Sequence, residues 1–253
     1  MSKLINQIKF DGKRLILRNS TFVFFSLMMP SFFYILFTKV MVIGNAKQIE
    51  VFNATYMGSM MVYSMLISSL MGISTFLARD RDQGFLTFLR ITNQNLSRYY
   101  ISVGFLSSLM NFITMGVVGL VAIVVNQVSL DLMQWLAIVG LILIGQLPIL
   151  LVGMLISLFK RQETLSIVCN LIAFPTAIVS GLWWPIQLLP TWLQKIGRHL
   201  PTYYLNHMIG QVVNNVKISG YDLIGLVIWI FGMMAIGGVI LMGSRKRSMV
   251  VSD

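Results

Sequence analysis

Residues 132–159 read LMQWLAIVGLILIGQLPILLVGMLISLF, a run of 28 residues with no Asp, Glu, Lys or Arg. A helix rises about 1.5 Å per residue, so about 20 apolar residues cross the roughly 30 Å hydrocarbon layer of a bilayer. In lipid the backbone must satisfy its own hydrogen bonds, and a helix does so without partners. Five further stretches are equally free of formal charge: residues 19–38, 51–78, 99–130, 164–194 and 223–244. The pattern predicts an all-α membrane protein with six transmembrane helices, its charges confined to the connections.

Hydrophobic residues make up 57% of the chain and charged residues 11%, against about 25% charged in a soluble domain. The 253 residues read as a single membrane domain, with no room for a separate soluble catalytic unit. Orientation follows from where Lys and Arg fall. One side takes Lys3, Lys9, Lys13, Arg14, Arg18, Arg79, Arg81, Arg90, Arg98, Lys160, Arg161, Arg245, Lys246 and Arg247; the other takes Lys39, Lys47, Lys195, Arg198 and Lys217. This bias of 14 to 5 predicts that both termini face the cytoplasm. The net charge of +11 then reads as a topology signal and an attraction for anionic inner-leaflet lipid, not as a nucleic-acid surface. The first apolar run follows a basic arm and is longer than a signal-peptide core of about 7–15 residues, so an uncleaved helix is expected. Cys169, the single cysteine, lies inside the fifth run and reads as a small packing residue.

Along the chain, residues 2–18 read as an amphipathic helix on the cytoplasmic surface: Leu4, Ile5, Ile8, Leu15 and Ile16 keep helical spacing beside basic residues. A solvated basic arm is the alternative. The spans are expected at about 19–43, 54–78, 99–126, 132–159, 164–182 and 222–244. Pro30, Pro148 and Pro175 fall inside three of them and should bend them. Small residues four apart, such as Ser68 with Gly72 and Gly153 with Ser157, permit close helix approach. Residues 183–221 are too polar for a span and too apolar for an ordinary loop. Trp183, Trp184, Trp192, Tyr203 and Tyr204 favour the membrane–water interface. Pro185, Pro190 and Pro201 divide the segment, predicting a short helix within Thr191–Leu200 and another from about Thr202 to Val213, on or dipping into the outer leaflet.

Two segments carry a resemblance. The first contains Gly181, Trp184, Pro185, Pro190, Trp192, Pro201 and Tyr203, a small-Gly step followed by aromatic-Pro, Pro-x-Trp and Pro-x-Tyr pairs. This resembles the region between the fifth and sixth helices of type-2 ABC exporter permeases, the ABC-2 family. The second is the cytoplasmic connection 79–98, where Asp80-Arg81-Asp82-Gln83-Gly84 precedes Phe85, Phe88, Leu89 and Arg90. It is similar to the family's coupling-helix segment, although Asp replaces the usual Glu and Thr92-Asn93 stands where a Thr-Pro pair is usual. The resemblance implies the membrane subunit of an exporter of drug, antimicrobial-peptide or polysaccharide type in a bacterial cytoplasmic membrane. It also implies two permease chains, identical or different, and two ATP-binding subunits. ATP and Mg would sit on those partners, with no cofactor on this chain.

Read from the residues alone, 80–90 suits docking: Phe85, Phe88 and Leu89 offer an apolar face, Asp80, Arg81, Asp82 and Arg90 flanking charges, and Gly84 a free turn. A solvated loop with an interfacial helix is the plainer alternative. None of the six runs carries an ionisable residue of the kind ion-driven transporters need, and the chain has no phosphate-binding Gly-Lys-Ser/Thr loop. Energy should therefore come from a partner. Candidate pathway-lining groups are Tyr63, Asn111, Gln146, Asn170 and Thr176, each of which could instead bond a neighbouring helix. His199 and His207 have no completing ligands in sequence, so no metal site is expected. A lipid-modifying membrane enzyme using one of these histidines, and a non-transporting scaffold or immunity protein, are the competing functions.

Overall fold

The computed structural model describes the backbone of residues 20–40, 45–92 and 96–250, and the side chains of 26–40, 45–89, 91–92 and 98–239. The surface helix expected at 2–18 lies outside the described residues, as do Asn93 and the side chains of Arg90 and Arg245–Arg247.

Every described element is helical: α1 (Ser20–Val40), α2 (Ala46–Asp82), α3 (Phe85–Ile91), α4 (Leu96–Asn126), α5 (Leu132–Ile156), α6 (Gln162–Val179), a 3₁₀ turn (Ile186–Leu188), α7 (Thr191–Gly197), α8 (Pro201–Val213) and α9 (Gly220–Val250). Five of these, α2, α4, α5, α6 and α9, are long and apolar enough to cross a membrane; the described part of α1, Ser26–Val40, is a shorter apolar helix. The bundle has a basic end, where Arg79, Arg81, Lys160 and Arg161 gather, and an aromatic end with Trp183, Trp184, Trp192 and Tyr203.

α2 differs most from the sequence expectation. It starts at Ala46 and not near residue 54, because Asn45 caps it: Asn45 Oδ1 accepts from Gln48 N–H at 3.0 Å and Gln48 Oε1 accepts from Asn45 N–H at 3.0 Å. That reciprocal pair satisfies two donors otherwise orphaned at a helix start. The helix then continues to Asp82, so residues 79–82 belong to it and not to a loop. It is also the most enclosed span, with α1, α4, α5 and α8 packed around it.

At its middle α2 widens into a π turn, Ser68–Gly72, which displaces the helical hydrogen-bond ladder locally. A polar cluster surrounds that turn. Asn111 of α4 donates to Ser69 Oγ (2.9 Å) and to Gln146 Oε1 of α5 (2.6 Å), and its Oδ1 accepts from Ser68. Gln146 Nε2 donates to Ser108 Oγ at 2.7 Å. Amides and hydroxyls thus tie three spans together where apolar packing offers little directional preference. Gly153 of α5 closes the contact: a Cβ there would lie 2.3 Å from Ile73 Cγ2 and 2.9 Å from the Ser69 carbonyl oxygen.

Candidate functional site

Two regions carry the chemistry, one at each end of α2. At the basic end, Gln83 and Gly84 turn the chain from α2 into α3, with Gly84 in the left-handed region at φ +69°. An added Cβ at Gly84 meets nothing within 4 Å, so the constraint there is torsional, not steric crowding. Gly84→Ala should cost about 1 kcal/mol from the left-handed backbone alone. Gly84→Asn should cost less, because Asn tolerates that region; thermal unfolding of the two purified variants checks the order.

α3 is amphipathic, and its two faces part the predicted docking residues. Leu89 is buried against Ile73, Phe76, Leu77, Tyr99, Val103 and Leu106, and Phe85 sits edge-on to Tyr99 at 5.7 Å. Thr87, Phe88 and Ile91 point outward, Phe88 56% and Ile91 80% exposed. The expected single apolar face over Phe85, Phe88 and Leu89 is therefore divided: one side anchors α3 to its own bundle, and the other, where Phe88 stacks on Phe85, stays largely exposed among the described residues.

The charges before the turn divide in the same way. Asp80 is 1% exposed and accepts a 2.5 Å hydrogen bond from the Tyr99 hydroxyl of α4. Arg81 donates from Nη1 to the Ser157 carbonyl (2.5 Å) and from Nη2 to the Phe159 carbonyl (2.8 Å), while Asp82 accepts from Gln162 Nε2 at 3.0 Å. Ser157 and Phe159 follow the last turn of α5, where helix carbonyls lack intrahelical partners, so a guanidinium fork fits them. These contacts bind the end of α2 to α4 and to the α5–α6 connection. The second predicted span is thereby fastened to the third and to the connection between the fourth and fifth.

Of the five predicted pathway residues, three point into this chain's own interior. Asn111 and Gln146 are locked in the π-turn cluster, and Tyr63 lies in an aromatic group with Phe33 (6.3 Å) and Trp183 (5.6 Å). Asn170 and Thr176 are only partly covered on α6, where the Asn170 amide donates to the Ser166 carbonyl one turn back.

At the aromatic end the motif residues build a tight corner. Gly181 takes φ +76°, and the Ser180 and Thr202 hydroxyls meet at 2.5 Å. The corner turns α6 toward α7 and α8, helices that fall close to their expected positions. Trp184 lies edge-on to Phe37 of α1 at 6.3 Å, and Pro190 and Pro201 mark the starts of α7 and α8. Trp192 is 61% exposed. Beside the corner, α2, α8 and residues 185–187 line a half-open cavity of about 530 Å³. Phe52, Thr55, Tyr56 and Ser59 line it from α2, and Tyr203, Asn206, His207, Gly210, Gln211 and Asn214 from α8. Each set follows the i, i+3, i+4, i+7 spacing of one helix face. Ser59 donates to Asn206 Oδ1 at 2.9 Å. Burial pushes the Tyr203 phenol above its ordinary range, so it stays an uncharged hydrogen-bonding group.

The structure corrects one sequence reading here and extends another. His207, for which no completing partner was expected in sequence, is paired with Asp222: His207 Nδ1 donates to Asp222 Oδ2 at 2.8 Å, with the carboxylate almost fully buried. The six charge-free runs stand as read, but the helices extend past two of them, so that Asp80 lies in α2 and Asp222 in α9, both buried. Each sits near a helix end with its own hydrogen-bond partner, at opposite ends of the bundle.

These features define a multi-pass helical membrane protein with a short amphipathic helix displayed at its basic end. A family model described as ABC-2 type transporter matches residues 11–214. The chain is 30% identical, over 251 residues covering 99% of its length and 100% of the relative's, to YvfS of Bacillus subtilis (strain 168), which is named as a transport permease. A shorter match, 30% identical over 89 residues, covers 35% of this chain and 12% of ABC transporter G family member 20 of Dictyostelium discoideum. The chain belongs to the ABC-2 type transporter family and is a membrane subunit of an ABC transporter.

Proposed function

We propose that this chain is the permease of an ATP-driven exporter, moving a hydrophobic or amphipathic substrate such as a drug, an antimicrobial peptide or a lipid-linked compound. The observation that carries the reading is α3: its inner face is anchored by Leu89, and its outer face presents Phe88 and Ile91 uncovered at the basic end. An apolar patch at the end of a bundle suits a soluble partner. In the full arrangement two permease chains, alike or different, stand on two copies of an ATP-binding subunit that holds ATP and Mg. Six spans cross a bacterial cytoplasmic membrane, with both termini inside, residues 79–98 docking the partner and residues 183–221 at the outer surface.

ATP closes the ATP-binding subunits, α3 takes up the movement, and the fastenings at Asp80, Arg81 and Asp82 pass it to the bundle. The permease halves then rock and open a path outward. Asn170 and Thr176 are the predicted polar residues placed to meet that path or the second permease chain. The two buried carboxylates do not form an ion route, because they lie at opposite ends of the bundle and each is already engaged. The lipid-modifying reading gains an orienting carboxylate for His207, but family membership favours transport.

Reconstitution tests the proposal. The chain should be placed in vesicles with and without the ATP-binding subunit that co-purifies with it. ATP-dependent accumulation of a fluorescent amphiphile is expected only with both proteins. Uphill flux by the chain alone, driven by a proton or sodium gradient, would overturn it.

A further inference from the structure

The cavity at the aromatic end is not needed for coupling, and its lining has a definite chemistry. Two stacked ring pairs wall it from opposite helices, Phe52 with Tyr56 (5.4 Å apart, 15° between planes) and Tyr203 with His207 (5.6 Å, 10°). Between them stand side-chain amides and the Thr55 hydroxyl, which is buried without a hydrogen-bond partner. Among the described residues no Lys, Arg, Asp or Glu lines the space. An anionic head group would therefore find no cation in the lining. An amine would find the nearby Asp222 carboxylate already held by His207 Nδ1, which leaves His207 Nε2 as a further polar atom of the lining. Amides, imidazole and hydroxyl offer both donors and acceptors, which a ligand hydroxyl answers with one atom. The aromatic walls suit an apolar body adjoining that head, and Trp183, Trp184 and Trp192 place the site at interface depth.

We propose that this cavity binds the uncharged, hydroxyl-bearing head of a membrane lipid, with the first acyl carbons resting on the aromatic walls. The site is independent of the partner ATPase, so it can be tested on this chain alone. Gly210 offers a direct block, because the nearest atom to an added Cβ is Thr55 Cγ2 at 3.6 Å. Gly210→Leu would thus place its side chain in the cavity without a clash at the backbone.

The full chain, in nanodiscs of phosphatidylglycerol, is offered diacylglycerol or glucosyl-diacylglycerol, and bound lipid is read by native mass spectrometry. At least tenfold retention of one or both over phosphatidylglycerol is expected, reduced about tenfold by Gly210→Leu and by Thr55→Val at unchanged melting temperature. Preference for the glucosyl lipid would assign the head to a sugar, and equal retention to glycerol; both uphold the site. Equal retention of triacylglycerol, which has no hydroxyl, would overturn it, as would retention unaffected by both variants. Equally tight binding of methyl glucoside without acyl chains would overturn the lipid assignment. Tighter capture of an amphipathic peptide or a planar aromatic dye in the same cavity would also overturn it.

Discussion

Phe88→Glu should abolish ATP-driven export while leaving the permease folded and inserted. The side chain is 56% exposed on the outer face of α3 and has no place in the buried cluster around Leu89 and Tyr99. Its replacement therefore removes one ring contact, to Phe85, and none of the buried cluster itself. On the docking surface, an aromatic anchor that becomes a carboxylate should cost about 2 kcal/mol or more, roughly a thirtyfold loss of affinity for the ATP-binding subunit. Ile91→Glu should act in the same direction. Leu89→Ala should behave differently, lowering thermal stability by about 2 kcal/mol or more because it opens a cavity under α3. Co-purification of the ATPase, alongside melting curves of the isolated permease, separates the two effects. Normal co-purification and export with Phe88→Glu would remove α3 from the coupling role.

Asn111→Leu should be the most damaging single change inside the bundle. The amide makes three hydrogen bonds, to Ser68, Ser69 and Gln146, and these close the gap left by the π turn of α2. Leucine is near in size but strands the Gln146 carbonyl oxygen and the Ser69 hydroxyl in a nonpolar interior, and leaves Ser68 only its bond back to the Met65 carbonyl. Interhelical hydrogen bonds in membranes are worth about 0.6 kcal/mol each on average and up to about 1.7, so a loss of about 2 kcal/mol or more is expected. The melting temperature and yield of the purified chain measure it. Asn170→Leu is the contrast: its amide bonds only to the Ser166 carbonyl one turn back, and stability should hardly change. If Asn111→Leu kept full stability and lost export, Asn111 would be a pathway residue after all.

The two predictions rest on a division that no sequence pattern shows. Phe85, Phe88 and Leu89 are equally apolar, and helical spacing alone groups them on one docking face. Whether Leu89 is buried and Phe88 free depends on where Tyr99 and Leu106 of α4 arrive, and α4 begins after a connection whose path local propensity does not specify. Asp80 and Asp82 illustrate the same point: two carboxylates two residues apart point to different sides of α2, one to Tyr99 and the other to Gln162. The cavity lining did leave a trace, since Phe52, Thr55, Tyr56 and Ser59 keep helical spacing at the start of α2. That signal was hidden because the same residues continue an apolar run that reads as a span.

What the chain's linear order determined is everything governed by solvent: charge-free runs long enough for lipid, basic residues segregated between them, and the aromatic, proline-divided segment before the last helix. Lipid rejects charges and unpaired backbone wherever they occur, so those features are visible residue by residue. Tertiary structure alone decided which polar groups meet. The π turn cross-linked by Asn111, the Arg81 fork on the end of α5 and the His207–Asp222 pair each join residues whose spacing in sequence is arbitrary. Hydrogen bonds reach about 3 Å, and only the packed positions of several helices can specify a distance that short.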